Sequence, residues 1–256
     1  MINAYMKIQI ARLKADNLDT IISIANFIVF QFIQILFIFI MYSTVDLFKG
    51  WYLGEMIFLH GFFNLTYYFD KFLSDNFLTL EQKINKGVLD KYLIRPKPVI
   101  FQLLLEKNNF IDLFVSVFGL VFIVYSFKFE YISLDFFKII FLIVSFFFVV
   151  FVRSLFKLLL ASIAFWTRTS FVFAITFSQI TEYSKYPITI FPVGIRFVFL
   201  TIIPISIFGS LPVGLILGKF SFIPYGVILV IFLIFLPVVT YYVWKKGLSR
   251  YVSTGN

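Results

Sequence analysis

Cysteine is absent from the 256 residues and histidine occurs once, which removes disulfides, thiolate nucleophiles and Cys/His metal sites from consideration. Charge is scarce as well: 14% of residues are charged against 61% hydrophobic, far from the balance of a soluble domain. No GxxxxGK[ST] string is present to cradle a phosphate, and neither HExxH nor GxSxG occurs. Hydrolytic readings therefore lack a metal or a nucleophile. Arginine-rich voltage-sensing helices and TVGYG filters are missing, and no inverted repeat of the secondary-transporter kind is visible.

What is present is repeated apolar sequence in runs of about 20 residues, the length a helix needs to cross a hydrocarbon core. Lipid admits only helices or closed barrels, and the lack of period-2 alternation excludes the barrel. The formal charge is +9. Because the basic residues sit at the ends of the apolar runs, positive-inside topology and attraction to anionic lipid account for that charge, and nucleic acid is not an expected partner. The 39 phenylalanines carry no binding argument by themselves, since an AT-rich coding sequence favours them.

The chain reads as one all-α polytopic domain over 1–256, with six transmembrane helices. Residues 1–19 lack the short apolar core and cleavage site of a signal peptide. Ile2, Met6, Ile10 and Leu13 share a helical face there, which suits a helix lying in the membrane interface. Spans are expected at Ile21 to Tyr42, Trp51 to Phe69, Phe110 to Phe127, Ile139 to Leu160, Ser170 to Tyr183 and Phe222 to Trp244. Gln31 and Gln34 lie three apart on one face of the first span. Gly50 and Gly54 open the second as a small-xxx-small pair, and that span holds Glu55, His60 and Asn64. Intramembrane polar groups are functional candidates by default, although hydrogen bonds across helix interfaces explain them equally well. Glu55 is expected to reach water near the outer interface, and Arg153 and Lys157 to snorkel from the fourth span toward headgroups. The fifth span is short, and Ser178, Gln179, Thr181 and Glu182 suggest contact with a wet cavity. Between Tyr186 and Phe220 the prolines Pro187, Pro192, Pro204 and Pro212 interrupt an apolar stretch. Such backbone is tolerated at membrane depth only when shielded, so 186–220 reads as an outer re-entrant pair of half-helices, with a kinked full span as the other possibility.

The longest polar interval, 71–109, carries Lys71, Lys83, Lys86, Lys91, Arg95, Lys97 and Lys107, which marks it as cytoplasmic. Gly87 suits the end of a short helix over Leu78 to Asn85. A second turn over Val88 to Leu93 must stop before Pro96, and Pro98 suits the start of the next helix. The expected product is a rigid elbow that presents Leu89, Asp90, Leu93 and Arg95 to the cytosol. From Val99 a helix is expected to run unbroken into the third span. Counted over the whole chain, the basic bias places both termini inside.

GVLDKYLIRPKPVIFQLL resembles the Gly-x-Leu-Asp, Leu-x-Arg-Pro signature of bacterial type-2 ABC exporter permeases, in the branch whose two permeases are often encoded beside one ATPase. YPITIFP with IIPISIFGSLP is similar to that family's outer segment, and WKKGLSRYVSTGN to its C-terminus; Lys97 departs from the usual apolar residue. The resemblance implies an exporter permease in the bacterial cytoplasmic membrane that is not itself an enzyme and carries no cofactor of its own. ATP and Mg would be bound by a partner ATPase dimer, with a second permease, identical or paralogous, completing the assembly among membrane lipids. Gly87, Leu89, Asp90, Leu93, Arg95 and Pro96 would couple to the ATPase. The substrate path would be lined by spans one, two and five, which makes Gln31, Gln34, His60, Asn64, Gln179 and Glu182 its candidates. An ion-coupled carrier or a non-transporting scaffold is the main alternative. A lipid-modifying enzyme using Glu55, His60 or Asp70 is the other.

Overall fold

The computed structural model describes residues 17–106, 108–129, 132–201 and 203–253; the expected interfacial helix over 1–19 lies almost wholly outside them. The described chain is helical apart from one two-residue hairpin. Helix α1 is Asn17–Tyr42. A hairpin of β1, Leu47–Phe48, and β2, Trp51–Tyr52, follows. Then come α2, Leu53–Ser74; α3, Leu80–Asn85; α4, Asp90–Leu93; α5, Val99–Leu104; and α6, Phe110–Ser126. Helix α7 is Phe136–Ser162, α8 Ala164–Thr167, α9 Phe171–Thr181, α10 Val193–Thr201, α11 Ser210–Ile216 and α12 Phe222–Arg250.

Among the described residues three segments are long and apolar enough to cross a membrane: Thr20–Tyr42, Phe136–Thr167 and Phe222–Arg250. The other expected spans differ from these in length or polarity. Helix α2 has 22 residues, about 33 Å at helical rise, but carries Glu55, His60, Asn64, Asp70 and Lys71. Helix α6 has 17 residues. Helix α9 has only 11, about 17 Å, well short of a hydrocarbon core near 30 Å.

Helix α2 is the buried centre of the bundle. A Cβ on Gly119 of α6 would lie 2.4 Å from the Leu65 backbone nitrogen, and one on Gly61 would lie 2.8 Å from the Gly119 carbonyl oxygen. These two glycines let α2 and α6 touch backbone to backbone. Gly50 does not join Gly54 in a helical pair as expected. Lys49 and Gly50 are the two turn residues of the hairpin, with φ of 51° and 89°, the positive values that a tight two-residue turn demands.

Two apolar cores result. In the first, Met56, Ile57, Phe58 and Phe62 of α2 meet Val149 and Val152 of α7 and Ile207, Phe208 and Leu211. In the second, at the opposite end from the hairpin, Phe77, Leu80, Ile84, Leu89, Tyr92 and Leu103 pack on Leu158, Ala161, Phe165 and Trp244. The expected unbroken helix from Val99 into the third span is interrupted. Helix α5 ends at Leu104, with Leu105 as its C-cap, the Asn109 side chain accepts from the Ile111 N–H at 3.1 Å to start α6, and Asn108 accepts from the Asn76 amide at 3.2 Å. Two asparagines that cap and cross-link end one helix and begin another.

Candidate functional site

The elbow, 80–105, is built around Gly87, whose φ of 64° turns the chain from α3 into α4 at no steric cost. Leu89 is fully buried in the second core, contrary to the expectation that it faces solvent; a leucine one residue past such a turn has an apolar floor of Leu158 and Ala161 available and gains by covering it. Leu93 and Arg95 are exposed as expected, Asp90 is half-buried, and Ile94 between the first two is 84% exposed. The Arg95 guanidinium lies 5.8 Å from the Tyr92 ring centroid. Pro96 is exposed beside them. Asp90 accepts from the Ser253 hydroxyl at 2.5 Å, tying α4 to the chain beyond α12. Burial and the Asp90 carboxylate together raise the Tyr251 phenol above its ordinary pKa.

Glu81, which no sequence pattern singled out, makes the elbow's second connection. Its Oε2 accepts from the backbone N–H groups of Ser170 at 2.5 Å and Phe171 at 2.6 Å. A carboxylate thus caps the start of α9, where unpaired N–H groups and the helix dipole favour negative charge. Asn85 donates to the Arg168 carbonyl at 2.8 Å, and Arg168 itself has φ of 56°. Gly247 of α12 lies so near Phe165 that a Cβ would meet its ring at 2.4 Å. The elbow therefore grips α7, α9 and α12, and Lys83 pairs with Glu106 at 2.8 Å where the chain leaves it toward α6.

Among the expected pathway residues, three come together. The Gln31 carbonyl oxygen accepts from Asn64 at 3.1 Å and lies 3.0 Å from His60 Nε2, while the Gln31 amide donates to Asn64 Oδ1 at 3.0 Å. All three are buried. Gln34 is half-buried, Gln179 is exposed and Glu182 is half-buried; Glu182 pairs with the buried Lys185 at 3.7 Å. These three do not join the Gln31 cluster through any side-chain bond described here.

Nearly two helical turns further along α2, at Asp70, is a charged cluster. Lys157 Nζ stands 2.6 Å from both Asp70 Oδ2 and Asp75 Oδ1, and Asp70 Oδ1 accepts from Ser74 at 2.6 Å and Ser154 at 2.7 Å. Arg153, one turn along α7, is 1% exposed. Its guanidinium lies over Phe208, Tyr67 and Phe63 at 4.9, 5.3 and 5.6 Å, and its three nitrogens make no hydrogen bond to any described residue. Neither base snorkels as expected, because the shared face of Arg153 and Lys157 is turned toward the acid-bearing α2. Their spacing was visible in the sequence, and so was Asp70 in an otherwise apolar run; that they meet requires knowing that α7 packs on α2. Among the described residues no cluster of metal-ligating groups occurs.

At the hairpin end, Glu55 is buried and does not reach water. It pairs with Lys219 at 2.8 Å and accepts from the Tyr52 N–H at 2.8 Å. Pro187, Pro204 and Pro212 are buried and Pro192 is exposed. Pro192 precedes α10, Pro204 opens the 3-10 turn Ile205–Phe208, and Pro212 sits in the first turn of α11, all positions where a missing N–H is tolerated. Gly218, at φ 70°, closes α11, with Lys219 donating back to the Gly214 carbonyl at 2.7 Å.

Against known families, the model of the ABC-2 family transporter protein matches residues 28–255. No curated protein and no solved structure matches the chain.

Proposed function

The chain belongs to the ABC-2 family of transporter proteins, as a membrane-embedded permease of an ABC transporter, and from that premise we propose that it works as an exporter half driven by a separate cytoplasmic ATPase. ABC-2 permeases work with ATPase subunits as a class. In this reading the chain has six spans, both termini and the elbow are cytoplasmic, 186–220 is an outer re-entrant segment, and ATP and Mg belong to the ATPase dimer. A second permease, identical or paralogous, completes the transport path.

The observation that carries the proposal is the elbow's division of labour. Leu93, Ile94 and Arg95 are exposed side by side, an apolar pair flanked by a cation, fit to seat in a cleft of a partner. Leu89 and Tyr92 on the opposite side are anchored in the second core. A push on the exposed side passes through that core to α7 and α12 and through Glu81 to the start of α9. Because α5 and α6 are separate helices, the third span is not the direct lever. Within the bundle, Gln31, His60 and Asn64 brace α1 against α2, and the substrate would pass between two permeases along α1, α2 and α9, beside Gln34, Gln179 and Glu182. Replacing Asp90 and Arg95 together with Ala is expected to leave membrane insertion intact and to separate ATP hydrolysis from transport. Unchanged transport by that variant would overturn the assignment of the elbow.

A further inference from the structure

A cavity of about 840 Å³ lies between the elbow and the long helices, walled by α2, α5, α7 and α12. Ile100 and Leu104 form its elbow side, Phe77 of the 3-10 turn Asp75–Thr79 adjoins them, and Val150 and Leu158 form part of its α7 side. Ser154 is its one polar lining residue, and that hydroxyl already donates to Asp70. Water in a cavity needs two to four polar partners, so water is not the filler. An empty space of this size forfeits the packing contacts of every wall. The lining is suited to hydrocarbon.

The mouth indicates its source. Val144, Phe147, Phe151 and Leu233 line the cavity and are exposed, and they belong to two of the three segments suited to cross a membrane. The cavity is thus continuous with surface that bilayer chains wet. Its volume holds on the order of 28 groups the size of water or a methylene, the scale of one or two acyl chains. Charge indicates the headgroup. The α5 wall begins just past Lys97, an exposed residue whose Nζ lies over the Phe101 ring, 5.9 Å from its centroid. A basic residue at a membrane surface attracts acidic lipid.

We propose that this cavity binds an anionic glycerophospholipid, with acyl chain between α5 and α7 and phosphate at the Lys97 end. The bound tail fills the space between Ile100 and Leu104 of α5 and the facing α7 residues, and so links the elbow to that span.

The test uses the full chain in phosphatidylcholine liposomes with a trace of phosphatidylglycerol, or of phosphatidylcholine, carrying a photoreactive diazirine in its acyl chain. After irradiation, adducts are mapped by mass spectrometry. With the anionic probe, labelling is expected to concentrate on 144–158 and 100–104 well above the exposed α1 face at Ile28, Val29 and Phe32. Leu155→Trp, which narrows the cavity, should lower that labelling several-fold while α1 labelling, the control for folding and insertion, stays constant. Lys97→Ala, at an exposed position, should reduce the preference for the anionic over the zwitterionic probe about fivefold, the effect of one basic residue at an anionic surface. Equal labelling of cavity and α1, or no difference between the two probes, would overturn the proposal. So would protection of 144–158 by a second copy, seen as cross-linked dimers through that face.

Discussion

Lys157→Met separates a structural charge cluster from a snorkelling lysine. In the native chain Lys157 is 2% exposed by side chain and sits 2.6 Å from each of two carboxylates, one of which, Asp70, is fully buried. Methionine keeps most of the volume, so the loss is electrostatic. Asp70 would retain the Ser74 and Ser154 hydroxyls and the field of Arg153 one turn along α7, but lose the one cation in direct contact with it. Removing one partner of a buried pair costs about 3–5 kcal/mol. At about 2–4 °C per kcal/mol for a chain of this size, the detergent-solubilised protein should melt ~6–20 °C lower. Adding Asp70→Asn removes the orphaned charge, and the double variant should regain at least half of the loss, a coupling of about 2 kcal/mol. Thermal unfolding followed by size-exclusion recovery reads both quantities. A Lys157→Met chain that melts with the native one would refute the reasoning, since the lysine would then be reaching headgroups and the α2–α7 interface would be misassigned.

Two further substitutions probe the routes through the molecule. Glu81→Ala leaves the start of α9 uncapped, which should cost about 0.5–2 kcal/mol and reduce transport several-fold while ATP hydrolysis by the assembled complex persists; loss of both activities together would make Glu81 a folding residue only. His60→Ala should leave export largely intact, because Gln31 and Asn64 still bond each other in both directions. Complete loss of export from a well-folded His60→Ala chain would move His60 into the transport path itself.

How much was legible in the sequence depended on whether a feature was local. The helices at Asn17–Tyr42, Phe136–Ser162 and Phe222–Arg250 follow from long, predominantly apolar runs, and the short helices of the elbow from Gly87, Pro96 and Pro98, whose backbone limits act on their own neighbours. The break between Leu105 and Phe110 has no proline or glycine to announce it; Asn108 ends the path by bonding Asn76, a partner 32 positions away. Gly50 and Gly54 fit a helical pair by spacing, yet Gly50 was needed for a positive φ in the hairpin. For Leu89, Arg153 and Lys157 the helical face was readable, but the neighbour on that face was not. An apolar floor buries the first, and Asp70 on a different helix holds the last. Of the six proposed pathway residues, Gln31, His60 and Asn64 meet because α1 crosses α2 at matching depth, which spacing along one chain does not encode.

The central claim is that this permease is moved by a separate ATPase through the elbow. The most direct measurement is gentle detergent purification of the tagged chain from its native membrane, with identification of what accompanies it, repeated with the Asp90→Ala/Arg95→Ala variant. The account predicts a P-loop ATPase, with or without a second permease, whose hydrolysis responds to the permease in the native complex and loses that response in the variant. A homogeneous chain that carries no nucleotide-binding partner, in detergent and again in a lipid disc, would contradict it.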